Sequence, residues 1–353
     1  MADDTQPDKP TGWPVYGHEW AVQLLRRTVE PVSGSPRHAY LLLGSPQVGK
    51  TTLARAFAQA LLCTHPGPRP CGDCRACRLM ARHGHPDFRL VQPLSRDRDG
   101  EMMVDRANGM LRVEQAAELI HDAGLRPVEA ARRVFLVQDV HAANPGFGNK
   151  LLKTLEEPPD QVVLILTALD RDSVLPTIVS RCQVLELRPV DEATMAAALM
   201  RDRQVDESQA TLLARLANGR MGWALQQVVD ADGGRSRQEQ LDQLQRLIVG
   251  SRVERLAFAD QLASGRNNQQ LFPMLALWTA WWRDVMLAQA GVVEACSNID
   301  RTETVAQLAA AIPADEVRAY LAALQRIEGY LRHTVNTRLA LDVLLLQMPH
   351  ATV

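Results

Sequence analysis

The apolar residues in the first half of the chain fall into five short runs with helical segments between them. Apolar positions at helical spacing over 19–29, 52–62 and 113–125 predict helices there. Short and almost wholly apolar runs predict buried strands, which end at Gly44 or cover 88–91, 133–139, 162–167 and 184–187. Because strands alternate with helices, the pattern predicts an α/β domain whose parallel sheet is covered by helices on both faces.

Beyond Pro189 the strand-like runs stop and the pattern becomes helical. Three short helices and a following linker are predicted at 192–201, 208–218, 222–229 and 230–236. Residues 238–348 are helical in pattern throughout. Their tryptophan stripe repeats at i, i+3, i+4 and i+7, which predicts core packing rather than a ligand site for Trp278, Trp281, Trp282 and Val285.

These patterns divide the chain into four parts. The polar segment 95–108 inside the α/β domain predicts a mobile surface loop. The expected parts are a disordered lead, an α/β nucleotide-binding domain, a small helical domain and an all-helical C-terminal domain, over 1–12, 13–188, 189–232 and 233–353.

Composition places the chain among ordinary soluble proteins. Hydrophobic residues make up 46% of it, and no apolar run approaches the ~20 residues that a membrane-spanning helix requires. The polar, acidic stretch 1–14 does not have the pattern of a signal peptide. We therefore expect a cytoplasmic protein whose six cysteines are thiols or metal ligands rather than disulfides. A formal net charge of −2 implies that any contact with nucleic acid is local or shared with partners.

A phosphate-binding loop follows the first predicted strand. The sequence G-x-x-x-x-G-K-T lies between an apolar run and a helical segment, which is the context that this motif requires. The glycines let backbone N–H groups turn towards phosphate oxygens, and the helix N-terminus favours the same anion. Lys50 is expected to reach the terminal phosphates and Thr51 to hold Mg²⁺. The predicted nucleotide-binding residues of the loop are Gly44, Ser45, Pro46, Gln47, Val48, Gly49, Lys50, Thr51 and Thr52.

Four cysteines lie close together after that helix. Their spacing is C-x7-C-x2-C-x2-C, and the Pro/Gly-rich loop allows the first to fold back onto the others. Four thiolates around tetrahedral Zn²⁺ form a closed, structural site with no open position for catalysis. The spacing therefore predicts a structural zinc module at 63–77, with the ligands Cys63, Cys71, Cys74 and Cys77.

Two further motifs carry a resemblance to a known family. With N-K-L-L-K-T-L-E-E-P-P at 149–159 and Ser180-Arg181-Cys182 downstream, the chain resembles the AAA+ clamp-loader subunits of bacterial DNA polymerase III. The resemblance implies an AAA+ phosphate-loop domain with a zinc-binding insert, a helical lid and a collar that holds the subunit in a ring. It also implies that Arg181 is an arginine finger, offered in trans to ATP in the neighbouring subunit. An intramolecular salt bridge is the structural alternative for this residue.

The family contains ATP-hydrolysing motor subunits and a rigid stator, and two departures favour the stator. A motor has two adjacent acids after a strand, for Mg²⁺ and for the attacking water, whereas here Gln138 stands first and Asp139 second. A motor lid carries a nucleotide-sensing arginine, and Gly222 stands at that position with Arg220 two residues away. Thr167, at the end of its predicted strand, matches the position of the first nucleotide-sensing residue of the family. The implied ATPase activity is weak or absent, and whether ATP, ADP (with Mg²⁺) or nothing occupies the loop stays open.

Membership of such a ring implies partners. They are the motor (gamma/tau) subunits and the clamp-opening delta subunit of a hetero-pentamer, the sliding clamp and, through the complex, primed DNA. Two other functions stay open: a self-sufficient motor that uses Lys50, Thr51 and Asp139, and a zinc-bearing DNA-binding protein with a vestigial ATPase fold. The candidate DNA contacts of the latter are Arg69, Arg75, Arg78 and Arg82.

Overall fold

A computed structural model describes residues 13–30, 36–97, 100–106, 109–229, 233–264, 271–331 and 335–351. The chain divides into two compact units, Met1–Met195 with Gly219–Gly222 and Ala196–Asn218 with Trp223–Val353. The predicted lead at 1–12 lies outside the described residues. The finer boundaries at 189 and 233 stay a prediction.

The first unit is built on a five-stranded parallel sheet. Every neighbouring pair of strands in it is parallel, as expected where helices make the connections. The five predicted strands are confirmed, with ends shifted by at most two residues. They are β1 (Ala39–Leu43), β2 (Phe88–Val91), β5 (Arg133–Val137), β6 (Val162–Ala168) and β7 (Gln183–Glu186), in the spatial order β2-β5-β6-β1-β7.

Helices cover both faces of this sheet. Tyr40 and Leu42 of β1 lie in the core shared with α1 (Glu19–Val29) and α2 (Lys50–Leu62). The alternate residues Leu41 and Leu43 lie in the core on the opposite face, shared with α4 (Val113–Ala123) and α5 (Pro145–Glu156). Burial on both faces explains why β1 is apolar at every position. The predicted α/β class is confirmed.

Two predictions about irregular segments are wrong. Part of the polar segment 95–108 is a two-stranded antiparallel hairpin of β3 (Leu94–Arg96) and β4 (Met102–Val104). All three residues of β4 are exposed, so these strands pair through their backbones without the buried face that an apolar pattern would reveal. The linker predicted at 230–236 is wrong from residue 233 onwards, because α10 (Gly233–Val249) begins there.

Shorter helices complete the first half of the chain and lead into the second. They are α3 (Arg75–Ala81), α6 (Pro176–Val179), α7 (Glu192–Arg203), α8 (Glu207–Ala217) and α9 (Met221–Val229).

The second unit has a helical core, as predicted. Its tryptophans Trp278, Trp281 and Trp282 are at most 1% exposed and lie together in that core, which confirms their assignment to packing. In the described part of the chain, no helix combines the length and apolar character needed to span a bilayer. The helices of this core that follow α10 are α11 (Arg252–Ser264), α12 (Leu271–Gln289), α13 (Thr302–Ala311), α14 (Ala314–Leu331) and α15 (Thr337–Leu346).

Candidate functional site

The loop that joins β1 to α2 has a backbone that favours glycine at both ends. Gly44 and Gly49 have φ angles of +146° and +115°. A Cβ atom on Gly44 would lie 2.5 Å from the main-chain oxygen of Leu187, so even alanine is excluded there without a shift. Gly49 is the N-cap of α2, which brings the positive end of that helix to the loop. The motif therefore has the local conformation of an anion cradle.

Lys50 lies folded against its own loop. The side chain is 6% exposed, and Nζ donates hydrogen bonds to the main-chain oxygens of Gly44 (2.5 Å) and Ser45 (2.8 Å). Burial lowers the pKa of Lys50 from 10.5 to about 8, and the nearby carboxylate of Asp139 opposes part of that effect. A bound phosphate would offer this buried ammonium the counter-charge that two carbonyls do not supply.

A chain of side-chain amides reaches the hydroxyl of Thr51. Gln138 directly follows the last residue of β5 and is 2% exposed. Its Nε2 donates to Thr51 Oγ1 at 3.0 Å, while its Oε1 accepts from Gln92 Nε2 at 2.8 Å. Gln115 Nε2 in turn donates to the main-chain oxygen of Gln92 at 2.9 Å. An N–H donor therefore faces the hydroxyl that the motif reserves for a metal ion.

The acid beside it, Asp139, is held on two sides. Its backbone N–H donates to Oγ1 of Thr167 at 2.9 Å, so the predicted sensor residue does lie next to it. Its carboxylate Oδ2 accepts from Nε of Arg106 at 2.7 Å. The side chain of Asp139 is 9% exposed and that of Arg106 48%, so a half-exposed cation covers a buried acid.

These residues do not fit Mg²⁺. That ion requires oxygen ligands in a near-octahedral shell. Here Gln138 presents an amide N–H to Thr51, and Arg106 already neutralises Asp139. The phosphate cradle suits a nucleotide, whereas the acid side of the site does not supply a metal shell.

Two further residues fix the loop from outside the motif. The buried ring of His18 donates from Nε2 to the main-chain oxygen of Val48 at 3.0 Å. The backbone N–H of Gly222 donates to the main-chain oxygen of Gln47 at 2.8 Å. A Cβ on Gly222 would lie 2.9 Å from that oxygen, so the backbone occupies the space that a side chain at this position would need. Burial lowers the pKa of Arg220, two residues earlier.

The four predicted metal ligands converge. Their Sγ atoms all lie within 4.8 Å of one another, and three pairs are 3.6, 3.8 and 3.9 Å apart. Four thiolates at about 2.3 Å from a central zinc would lie about 3.8 Å from each other. The set therefore fits tetrahedral Zn²⁺ and would hold it as a closed, structural site. Its members are Cys63, Cys71, Cys74 and Cys77.

Local structure prepares the thiols for a cation. Cys74 is the N-cap of α3, and its Sγ accepts a hydrogen bond from the backbone N–H of Cys77 at 3.4 Å. Burial acts to raise the pKa of Cys74, but hydrogen bonds from Cys77 and Thr64 outweigh it and lower the pKa to about 6. Burial raises the pKa of Cys77. The cluster thus contains at least one thiol that ionises readily before metal binds.

The arginines near the cysteines are largely engaged within the chain. Arg75 pairs with Glu129 at 2.9 Å, Arg78 donates to the main-chain oxygen of Asp73, and Arg69 donates to that of His65. Arg82 is exposed. Such contacts weaken the case for this surface as a DNA-binding patch.

Arg181 lies at the surface, close to the start of β7. Its guanidinium pairs with Glu156 at 2.8 Å and donates to the main-chain oxygen of Thr177 at 3.0 Å. The predicted structural alternative, an intramolecular salt bridge, is therefore present. The two side chains are 35% and 51% exposed, so the pair is a surface one, of the kind worth at most about 1 kcal/mol. Burial raises the pKa of the neighbouring Cys182 to about 12, which fits an inert thiol.

Sequence reasoning missed the residues that hold this site from outside the motifs. Arg106 fell in a segment predicted as a loop, and its partner lies 33 positions away. Gln92 and His18 are joined to the site through partners 46 and 30 positions away. Only the position of Gln92, directly after β2 and thus at the same sheet edge as Gln138, offered a signal.

The chain is similar to known proteins along most of its length. A family model described as "DNA polymerase III, delta subunit" matches residues 17–191, and one described as "DNA polymerase III, delta subunit, C terminal" matches 234–350. DNA polymerase III subunit delta' of Pseudomonas aeruginosa is 30% identical over 246 residues, which cover 69% of this chain and 70% of that protein. The delta' subunit of Escherichia coli is 28% identical over 323 residues, or 90% of each chain.

A tau/gamma subunit is similar to part of the chain. Subunit tau/gamma of Haemophilus influenzae is 34% identical over 163 residues, which cover 46% of this chain and 22% of that protein.

Proposed function

This chain belongs to the delta-prime family of DNA polymerase III subunits, and on that basis we propose that it acts as the stator of the clamp loader. It is a clamp-loader subunit of the DNA polymerase III holoenzyme. In the proposed role it sits in a hetero-pentameric ring with gamma/tau and delta subunits and helps load the sliding clamp onto primed DNA. Its phosphate loop holds ATP or ADP with little or no turnover, and Arg181 completes the ATP site of the adjacent motor.

The hydrogen bond from Gln138 to Thr51 carries the stator assignment. Hydrolysis by a phosphate-loop motor depends on a metal ion bridging the phosphates and on an acid free to orient water. Here Gln138 stands where a motor has its metal-binding acid, and its amide donates to Thr51 Oγ1. The second acid, Asp139, is paired with Arg106. The loop around Gly44 has the conformation of an anion cradle, which supports nucleotide binding without hydrolysis.

The surface setting of Arg181 supports its proposed role in trans. An arginine finger must leave its resting partner and reach a phosphate on another subunit. The pair with Glu156 is solvent-exposed on both sides, so exchanging it for a phosphate costs little. The guanidinium fork suits a phosphate oxygen pair better than a lysine would.

The four-cysteine cluster is proposed to hold one Zn²⁺ as a structural ion. The test is metal content by elemental analysis of the purified chain, beside the variant Cys74→Ser. One zinc per wild-type chain and a loss in the variant are expected, together with a lower melting temperature after chelation. A wild-type chain free of zinc after purification without chelator would contradict the assignment.

Turnover by the purified chain separates the stator from a self-sufficient motor. We expect ADP and ATP to bind, and phosphate release to stay at background even with clamp and DNA present. Lys50→Ala is expected to abolish binding, since it removes the buried cation of the loop. ATP hydrolysis that disappears in Lys50→Ala would instead identify a motor.

The reconstituted complex tests Arg181. Arg181→Ala is expected to reduce clamp-dependent ATPase activity by about 10³-fold or more at the affected site, the scale of an arginine finger. Glu156→Ala is the matched control, because it breaks the same ion pair and leaves the guanidinium in place. A structural salt bridge would make both variants equally defective, whereas a finger makes only Arg181→Ala defective.

A further inference from the structure

A cation of the polypeptide itself, Arg106, lies beside Asp139 in the proposed nucleotide site. Arg106 follows β4, the second strand of the exposed hairpin, and its Nε lies 2.7 Å from Oδ2 of Asp139. A guanidinium has five N–H donors, and this bond uses the one on Nε. The terminal nitrogens belong to a side chain that is 48% exposed, so the side chain is accessible to a ligand.

Lys50, Asp139 and Arg106 form one electrostatic cluster. The pKa of Lys50 responds to the charges of both Asp139 and Arg106, which places all three within interaction range. Burial lowers the pKa of nearby His141, which favours the neutral form of that ring. With Gln138 uncharged, the cluster holds two cations and one acid, a net charge of +1 before any ligand arrives.

The neighbouring hydroxyl completes this arrangement. Thr51 Oγ1 accepts an N–H from Gln138, whose own oxygen is taken by Gln92. A divalent cation placed at Thr51 would meet an amide N–H where it needs an oxygen ligand. Charge neutralisation of a polyphosphate at this site therefore falls to Lys50 and Arg106.

We propose that Arg106 takes the place of a divalent cation, so that the site binds nucleoside di- and triphosphates without Mg²⁺. This inference rests on the proposed binding of nucleotide to the phosphate loop. Arg106 keeps Asp139 neutralised and turns its remaining donors to the terminal phosphate, with Lys50 on the other side of the anion. A guanidinium binds phosphate through fixed parallel donors, which gives the second cation a defined geometry.

Calorimetric titration of the full chain with ADP and ATP tests this, in buffer with Mg²⁺ and in buffer with EDTA. The wild type is expected to bind with affinities that differ by less than about threefold between the two buffers, because the arginine already supplies the second cation. Arg106→Gln is expected to weaken binding in EDTA by about tenfold or more, the scale of one charge-assisted hydrogen bond. Arg96→Gln is the matched control: it removes an exposed arginine of the same hairpin and should leave both affinities unchanged.

A double variant sharpens the test. Arg106→Gln with Gln138→Asp rebuilds an acid pair beside Thr51, and its binding is expected to become dependent on Mg²⁺ by about tenfold or more. Circular dichroism of each variant checks that the fold is kept. Arg106→Lys retains the charge but not the parallel donors, so in EDTA it should bind more tightly than Arg106→Gln and less tightly than the wild type.

The outcomes separate the two claims. Wild-type binding that requires Mg²⁺ and is indifferent to Arg106→Gln overturns this inference and leaves nucleotide binding intact. Absence of binding in both buffers, by a folded wild-type chain, overturns nucleotide binding itself and the inference with it.

Discussion

Two buried cations, one in each unit, show opposite ways of handling charge. Arg255 in the helical unit is 4% exposed, and Lys50 in the α/β unit is 6% exposed. Burial lowers the pKa of both. Each is hydrogen-bonded to main-chain oxygens of its own unit, yet the two differ in how completely those oxygens satisfy them.

Arg255 is saturated by helix ends. Its guanidinium donates to main-chain oxygens in the last turn of α10, at the end of α15 and just beyond it. Carbonyls at helix C-termini concentrate partial negative charge. One cation thereby caps two helices. The five acceptor oxygens belong to Leu247, Ile248, Leu345, Met348 and Pro349.

Lys50 has fewer hydrogen-bond acceptors than Arg255. Two carbonyls of a glycine-bounded loop accept from it, and its pKa falls to about 8. A buried charge whose donors are filled by its own fold stabilises that fold. A buried charge left short of partners is a place for a ligand.

Removing Arg255, whose donors are all filled, should change stability the most. Arg255→Leu removes the guanidinium donor from five main-chain oxygens, of which those of Ile248 and Leu345 also accept from a backbone N–H. The substitution should lower the free energy of unfolding by about 3 to 5 kcal/mol. Urea denaturation followed by tryptophan fluorescence measures this, since three of the six tryptophans lie in the same core.

Arg338→Ala is the matched control for Arg255→Leu. Arg338 pairs with Asp260, and the two side chains are 60% and 56% exposed. Its removal should cost less than about 1 kcal/mol. If the two variants lose similar stability, Arg255 does not have the capping role assigned to it.

The next effect should have the opposite sign. Lys50→Met removes a charge that the nucleotide-free fold tolerates poorly, and should raise the free energy of unfolding by about 1 to 2 kcal/mol at pH 7 while abolishing nucleotide binding. The folded pKa of about 8 lies below the unfolded 10.5, so the penalty is complete below pH 8 and fades as the pH rises to 10.5.

Lys153→Met provides the comparison for that variant, because Lys153 is exposed. It should change neither stability nor binding. Marked destabilisation by Lys50→Met would mean that Lys50 acts like Arg255, as part of the scaffold, and would remove the contrast between the units.

The same contrast explains which features the sequence could predict. The five strands of the sheet were predictable because burial on both faces leaves a continuous apolar run, as in Val162–Ala168. The cysteine cluster was predictable because its ligands lie within 15 positions and their chemistry is shared. Gln138 was predictable because counting back along the sequence from the N-K-L-L-K motif at 149–153 fixes its position.

Long-range partners of charged residues were not predictable. Arg255 reads as one polar position among many, and three of its acceptors lie 90 or more positions away. Arg106 is similar: the exposed hairpin that places it has no apolar alternation, so nothing local connects it to Asp139. Every residue has a main-chain oxygen, so the amino-acid sequence does not show which of these oxygens a buried cation binds.

The smallest predicted effect is a pH dependence that only the unsaturated cation should produce. If nucleotide binds as proposed, its phosphates favour charged Lys50 and raise the pKa above the nucleotide-free value of about 8. Binding then takes up a proton above pH 8, so affinity should fall by about tenfold between pH 7 and pH 9. Calorimetry in buffers of different ionisation enthalpy measures the proton uptake directly.

Lys50→Arg isolates the source of that dependence. A guanidinium stays charged throughout this range, so the variant should bind with an affinity that does not fall as the pH rises from 7 to 9. Equal loss of affinity in the wild type and in Lys50→Arg would place the titrating group elsewhere. A flat profile in the wild type would mean that the ammonium is as well satisfied before binding as after it, and that the two buried cations differ less than their hydrogen bonds indicate.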